Sequence, residues 1–201
     1  MSSTTRGLIL GALIATRLTT PAFAGLDDGL AAYDRGDYAT AFGELAPTAA
    51  GGEPAAQYAL ARMYLAGEGI ARDSATGLKW LREAATNGVA LAQYQLGVGY
   101  ELGIVTPQDY SEAARWYRMA ADRGVALAQY HLGLLYLNGL GVTGDLVAAH
   151  MWLNLAAARL PPGEPRNAVA SLREAVAAKM AASQIAQAQK AARDWTPAKD
   201  R

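Results

Sequence analysis

The heptapeptide GVALAQY occurs at residues 88–94 and again at 124–130, and a looser copy, GEPAAQY, stands at 52–58. The spacing of 36 residues holds well beyond these seven positions. Gln57, Gln93 and Gln129 are in phase, as are Tyr58, Tyr94 and Tyr130, then Leu60, Leu96 and Leu132, then Tyr64, Tyr100 and Tyr136. Gly67, Gly103 and Gly139 follow, then Asp73, Asp109 and Asp145, then Trp80, Trp116 and Trp152. Each unit closes on an alanine pair: Ala84-Ala85, Ala120-Ala121 and Ala156-Ala157. Self-similarity at one period of this size is the mark of a stacked repeat array.

Within a unit the apolar spacing is helical. Ala92, Leu96, Gly97 and Tyr100 share one face of a first helix, and Ala113, Trp116, Tyr117, Ala120 and Ala121 one face of a second. A glycine-containing loop such as Gly139-Leu140-Gly141-Val142 joins them and leads to the in-phase aspartate. That aspartate is placed to cap the second helix by accepting the free N–H groups of its first turn. Asp109 has Glu112 three residues on, a partial capping box. The small residues predict close helix approach, with Gly97 or Gly133 set against Ala120 or Ala156, while tryptophan and tyrosine fill the space between stacked pairs.

These residues resemble the Sel1-like repeat, a relative of the tetratricopeptide repeat. The third unit carries Leu132-Gly133, Tyr136, Gly139-Leu140-Gly141-Val142, Asp145, Ala149, Trp152 and Ala156-Ala157. The first carries Leu60, Tyr64, Gly67-Glu68-Gly69-Ile70, Trp80 and Ala84-Ala85, with Ala61 at the first glycine. The second has Val105 at the second loop glycine, where a β-branched side chain disfavours the left-handed backbone, so another loop path is expected. The resemblance implies an all-α fold: a right-handed α-solenoid of helix-turn-helix Sel1-like, tetratricopeptide-like repeats with a C-terminal helical cap.

Upstream, GLAAYDRGDYATAFGELAPTAAGG keeps Asp37, Leu45 and Ala49 in phase with Asp73, Leu81 and Ala85. Downstream, Pro161-Pro162-Gly163 breaks the pattern before alanine-rich helices at 166–179 and 183–194. A final helix with a Q-I-x-x-A-Q signature, here at 184–189, is common in the family and is expected to cover the apolar end of the stack. A Thr-Pro pair usually precedes that signature; Ala181-Ala182 stand here, so the helix break lacks its usual signal. The domain reading is a signal peptide at 1–24, a tetratricopeptide-like N-terminal capping unit at 25–52, three Sel1-like repeats at 53–160 and the helical cap at 161–201.

The signal-peptide reading rests on Arg6, the nine-residue apolar run GLILGALIA, and Ala22-Phe23-Ala24 as an A-x-A site. The run is too short to span a bilayer, which takes about 20 apolar residues. Cleavage after Ala24 leads to the periplasm or the medium, with no stable membrane insertion afterwards. Taking Arg6 and Arg17 from the 18 basic residues leaves 16 against 18 acidic ones, a net charge of −2, which argues against nucleic acid as a partner. The absence of cysteine removes thiol nucleophiles, thiolate metal sites and disulfides together.

Little else points to chemistry. His131 and His150 are the only histidines, and neither has a metal-ligand spacing; both read as surface or interface residues. The in-phase aspartates read as caps and the loop glycines as turns, so no catalytic, cofactor or metal residue is expected. The remaining lead is surface. In tetratricopeptide arrays the first helices line a concave groove. The corresponding face carries Tyr58, Arg62 and Leu65, then Tyr94, Val98 and Glu101, then Tyr130, Leu134 and Leu137. Tyrosine suits partner recognition because it combines apolar area with one hydrogen-bonding group. The alternative is that the three rings simply pack between adjacent first helices. The resemblance implies a non-catalytic adaptor or regulator of the bacterial envelope that binds a protein partner through this face, with specificity from residues such as Arg62 and Glu101. An envelope hydrolase of β-lactamase type and a secreted factor acting on host proteins are the rival readings.

Overall fold

The computed structural model describes residues 24–104 and 106–198. The signal-peptide segment before Ala24 and the loop position Val105 lie outside the described residues. Ten helices and no strand are found among the described residues: α1 (Ala24–Asp34), α2 (Tyr38–Ala50), α3 (Pro54–Ala66), α4 (Ser74–Thr86), α5 (Ala90–Glu101), α6 (Tyr110–Asp122), α7 (Ala126–Asn138), α8 (Leu146–Arg159), α9 (Glu164–Ala177) and α10 (Ala182–Asp194). Each helix from α1 to α8 packs on the next, which makes an α-solenoid of antiparallel pairs. First helices also touch across a repeat boundary, α1 with α3 and α5 with α7, and α2, α4, α6 and α8 make no comparable contact with one another. The first helices therefore occupy the inner, concave side.

The glutamine of the repeated heptapeptide joins one pair to the next. Gln93 is fully buried, and its Nε2 donates to the Ala85 carbonyl near the end of the preceding second helix, at 3.0 Å. Gln129 does the same to Ala121 at 3.1 Å, and Gln57 to Ala49 at 3.4 Å. The amide oxygen takes a donor from the in-phase residue beyond the following second helix: Asn87 Nδ2 for Gln57 at 2.9 Å, and Arg123 for Gln93 at 3.3 Å. In the third unit the matching Arg159 instead lies over the Trp195 ring, 4.3 Å from its centroid, and the Gln129 oxygen is buried with no hydrogen-bond partner.

The aspartates cap their helices as the spacing predicts. Asp73 accepts from Ala75 and Thr76 N–H, Asp109 from Ser111 and Glu112, and Asp145 from Val147 and Ala148, all within 3.1 Å. The expected half of a capping box at Asp109 does not form. The backbone N–H of Asp109 donates to the Tyr100 carbonyl, as Asp73 does to Tyr64 and Asp145 to Tyr136, so it has nothing to offer Glu112. Glu112 pairs with Arg115 instead.

The close helix approach is present, but with different partners from those expected. A Cβ at Gly97 would stand 2.5 Å from the Tyr117 ring, and one at Gly133 would stand 3.0 Å from Leu153. In the first unit the glycine has crossed the interface: Ala61 takes the first-helix slot, and Gly77 on α4 accommodates Leu65. The repeat tryptophans lie in the packed interior, with Trp152 and Trp116 buried and Trp80 partly so.

The two C-terminal helices have separate roles. α9 lies against α8 as a further first helix would, burying Val169 and Val176 with Leu153, Ala156 and Leu160. α10 turns back onto α8, and Trp195 reaches the core between α6 and α8. The helix break that lacked a sequence signal is real: Gln184 Oε1 accepts the Ala181 N–H at 2.9 Å.

Replacing Gln93 by Met keeps the volume and removes both hydrogen bonds. A loss of about 1–2 kcal/mol is expected in urea unfolding. Gln129→Met is expected to lose less, because only one of its two polar ends is bonded; equal losses would contradict this assignment.

Candidate protein-binding groove

The three tyrosines do stand in a row along the first helices, and each is only partly buried. They also pack between neighbours, as the alternative reading expected. Tyr58 accepts a hydrogen bond from Gln95 Nε2 of the next unit at 3.1 Å. Tyr94 lies 5.9 Å, centroid to centroid, from His131 of the next unit and 6.0 Å from Tyr117. Tyr130 meets the edge of His131 at 5.3 Å. Burial raises the hydroxyls of Tyr58 and Tyr94 above the ordinary tyrosine range.

Of the other expected groove residues, Arg62 is exposed and its guanidinium lies over the Tyr33 ring at 4.8 Å. Leu65, Val98 and Leu137 are partly buried against the core clusters, and Leu134 is half-buried on α7. Glu101 is the main departure from the sequence reading. It was expected to face a partner, but it is engaged within the chain. Its carboxylate accepts the Tyr117 hydroxyl and stands 3.0 Å from His131 Nδ1. His131 in turn stacks on Tyr117 at 4.9 Å between centroids. The hydrogen bond from His131, and then that from Tyr117, hold the Glu101 carboxyl below the ordinary range. Burial, and then the same carboxylate, drive the Tyr117 hydroxyl well upward.

This cluster of Glu101, Tyr117 and His131 was missed as a unit, although the repeat itself carries the signal. The positions in phase with Glu101 are Leu65 and Leu137, and those in phase with Tyr117 are Leu81 and Leu153. Two leucine positions that both turn polar in one repeat belong together. A similar contact stands one unit earlier, where the Tyr33 hydroxyl donates to Glu68 in the same recess as Arg62 and Gln95.

His150 is 3% exposed, and its Nδ1 has no hydrogen-bond partner. Burial, and then the Arg173 guanidinium, push its imidazole below the ordinary histidine range. It is an interior residue of α8. No group of three or more metal-ligating side chains occurs among the described residues.

The model of the Sel1 repeat matches residues 54–89, 90–125 and 126–159, more than half of the chain. The chain belongs to the Sel1 repeat family. No curated protein matches it. A Sel1 repeat protein from Oxalobacter formigenes is similar in structure, with a TM-score of 0.62 and 37% identity over 66% of this chain and 38% of that one. The protein c5321, described as a protective antigen of uropathogenic Escherichia coli strains displaying an SLR fold, gives a TM-score of 0.58 and 26% identity over 87% of this chain and 45% of its own. The chain thus spans less than half the length of either. The matched boundaries place Tyr58, Tyr94 and Tyr130 at the same position of three successive Sel1 repeats.

Two pH effects follow. Glu101 has a folded pKa below its unfolded value, so its contribution is present above the ordinary glutamate pKa of about 4.3 and is lost as pH falls through the folded value. Glu101→Gln is expected to lower stability at pH 7 by about 2 kcal/mol and to reduce the loss on acidification. His150 is also depressed, so its contribution is complete above about pH 6.5 and declines as pH drops below that. His150→Leu, which places the in-phase Leu78 side chain there, is expected to flatten the melting temperature between pH 7 and pH 5; an unchanged slope would contradict the assignment.

Proposed function

We propose that this Sel1 repeat protein is a non-catalytic adaptor or regulator of the bacterial cell envelope that holds a protein partner against its concave, first-helix face. Sel1 repeats generally mediate protein interactions. The observation that carries the reading is the row of partly exposed Tyr58, Tyr94 and Tyr130, one per repeat, with Gln95 and His131 interleaved between them. Side-chain rotation is already restricted there by hydrogen bonds and ring contacts, so a partner meets rings with little freedom left to lose. The periplasmic or secreted location rests on the signal-like layout of residues 1–24. None of the helices among the described residues is long and apolar enough to cross a membrane.

The Glu101–His131 pair gives the hydrolase reading its one structural argument, since a carboxylate can orient an imidazole as a base. The contacts recorded for that imidazole are Glu101, Tyr94, Tyr117 and Tyr130, which include no serine or threonine nucleophile. The pair therefore supports an interface role: it joins the second repeat to the third and holds the rings of the groove in place.

The test is affinity capture from periplasm and culture medium with the wild type and a Tyr94→Ala, Tyr130→Ala double variant. The wild type is expected to retain a partner that the variant loses while keeping the same helical circular dichroism. A folded variant that keeps every partner would overturn the groove reading. A mature N-terminus at Gly25, found by mass spectrometry of the exported protein, is the expected result for location.

A further inference from the structure

The three first-helix seams differ in what stands beside the in-phase tyrosine. Gln95 reaches Tyr58 at the first, and His131 lies against Tyr94 at the second. At the third, Tyr130 faces Pro165, Ala168 and Val169 of α9, none of which carries a side-chain amide or an aromatic ring that could close the gap. A cavity of about 180 Å³ remains, lined by Leu127, Tyr130, Leu160, Pro165, Ala168 and Val169. Leu127 at its lip is 44% exposed, and the in-phase Leu91 one repeat earlier is 51% exposed.

We propose that this cavity is the anchor pocket of the groove and takes one aromatic side chain from an extended, locally uncharged segment of a partner protein. The proposal rests on the first-helix face being the binding surface. Size favours a ring: a hydrocarbon-lined protein cavity of about 150 Å³ binds benzene. The uncharged lining disfavours charged side chains. Apart from tyrosines, the ionisable side chains of α5 and α7 are Glu101 and His131, which face each other; Arg62 lies two repeats away on α3, and Glu164, beside Pro165, is exposed at the start of α9. Arg166, beside Pro165, donates to the Leu160 carbonyl. A lysine, aspartate or glutamate entering the cavity would lose its hydration against a lining that carries no charge.

The test is a titration of the protein with N-acetyl-phenylalanine methylamide, followed by backbone amide NMR shifts. Shifts are expected around residues 127–130 and 160–169, with millimolar affinity for a ligand of this size. The aspartate and lysine methylamides are expected to leave those residues unmoved. Ala168→Leu fills the cavity and is expected to weaken phenylalanine-amide binding at least tenfold. Leu127→Ser, at an exposed position that the fold tolerates, is expected to weaken it at least threefold. Equal shifts from all three amides, shifts elsewhere on the chain, or unchanged binding by both variants would overturn the proposal. A captured partner that is lost by the double tyrosine variant but kept by Ala168→Leu would remove the anchor and leave the groove standing.

Discussion

A buried primary amide joins each helix pair to the one before it. Gln57, Gln93 and Gln129 each send an N–H into a carbonyl near the end of the preceding second helix, where intrahelical partners run out. The bond satisfies a donor that would otherwise be buried and unpaired, and it sets how one unit sits on the next. Alanine is small enough to allow the amide in, which explains why glutamine and the alanine pair keep the same 36-residue phase. The row of tyrosines follows directly, because Tyr58, Tyr94 and Tyr130 are the residues next to those glutamines.

The middle of the array departs from this regular plan. Where the first and third units place leucine against leucine, the second places Glu101 against Tyr117, and the third unit supplies His131 to complete the set. A carboxylate held below its ordinary range by two hydrogen bonds is a stronger link than a leucine contact, and a more directional one. The consequence for function is indirect. Glu101 bonds Tyr117 and His131, against which Tyr94 packs, rather than presenting free charge.

Much of this architecture was legible in the residues, because repetition multiplies weak signals. One aspartate before a helix is an ambiguous cap; three in phase, each before a tryptophan-bearing helix, are not. The errors arose where a local rule met a contact from elsewhere in the chain. The capping box at Asp109 failed because a tyrosine carbonyl in the preceding helix had already taken the backbone N–H. Gly97 was set against alanine, since small residues suggest small neighbours, yet the glycine makes room for the Tyr117 ring. The contact of Trp195 with the Arg159 guanidinium joins residues with no repeat phase to reveal it. The groove was readable as a face, but not as a network, because Glu101 alone resembles any exposed charge.

The account's central claim is that the first-helix face, held in register by the buried amides, is the surface a partner occupies. Hydrogen–deuterium exchange on the protein alone and in complex with its captured partner tests this most directly. Added protection is expected in α3, α5 and α7 and at the start of α9, with α4, α6 and α8 unchanged. Protection confined to α4, α6, α8 and α10 would place the partner on the opposite face and contradict the account.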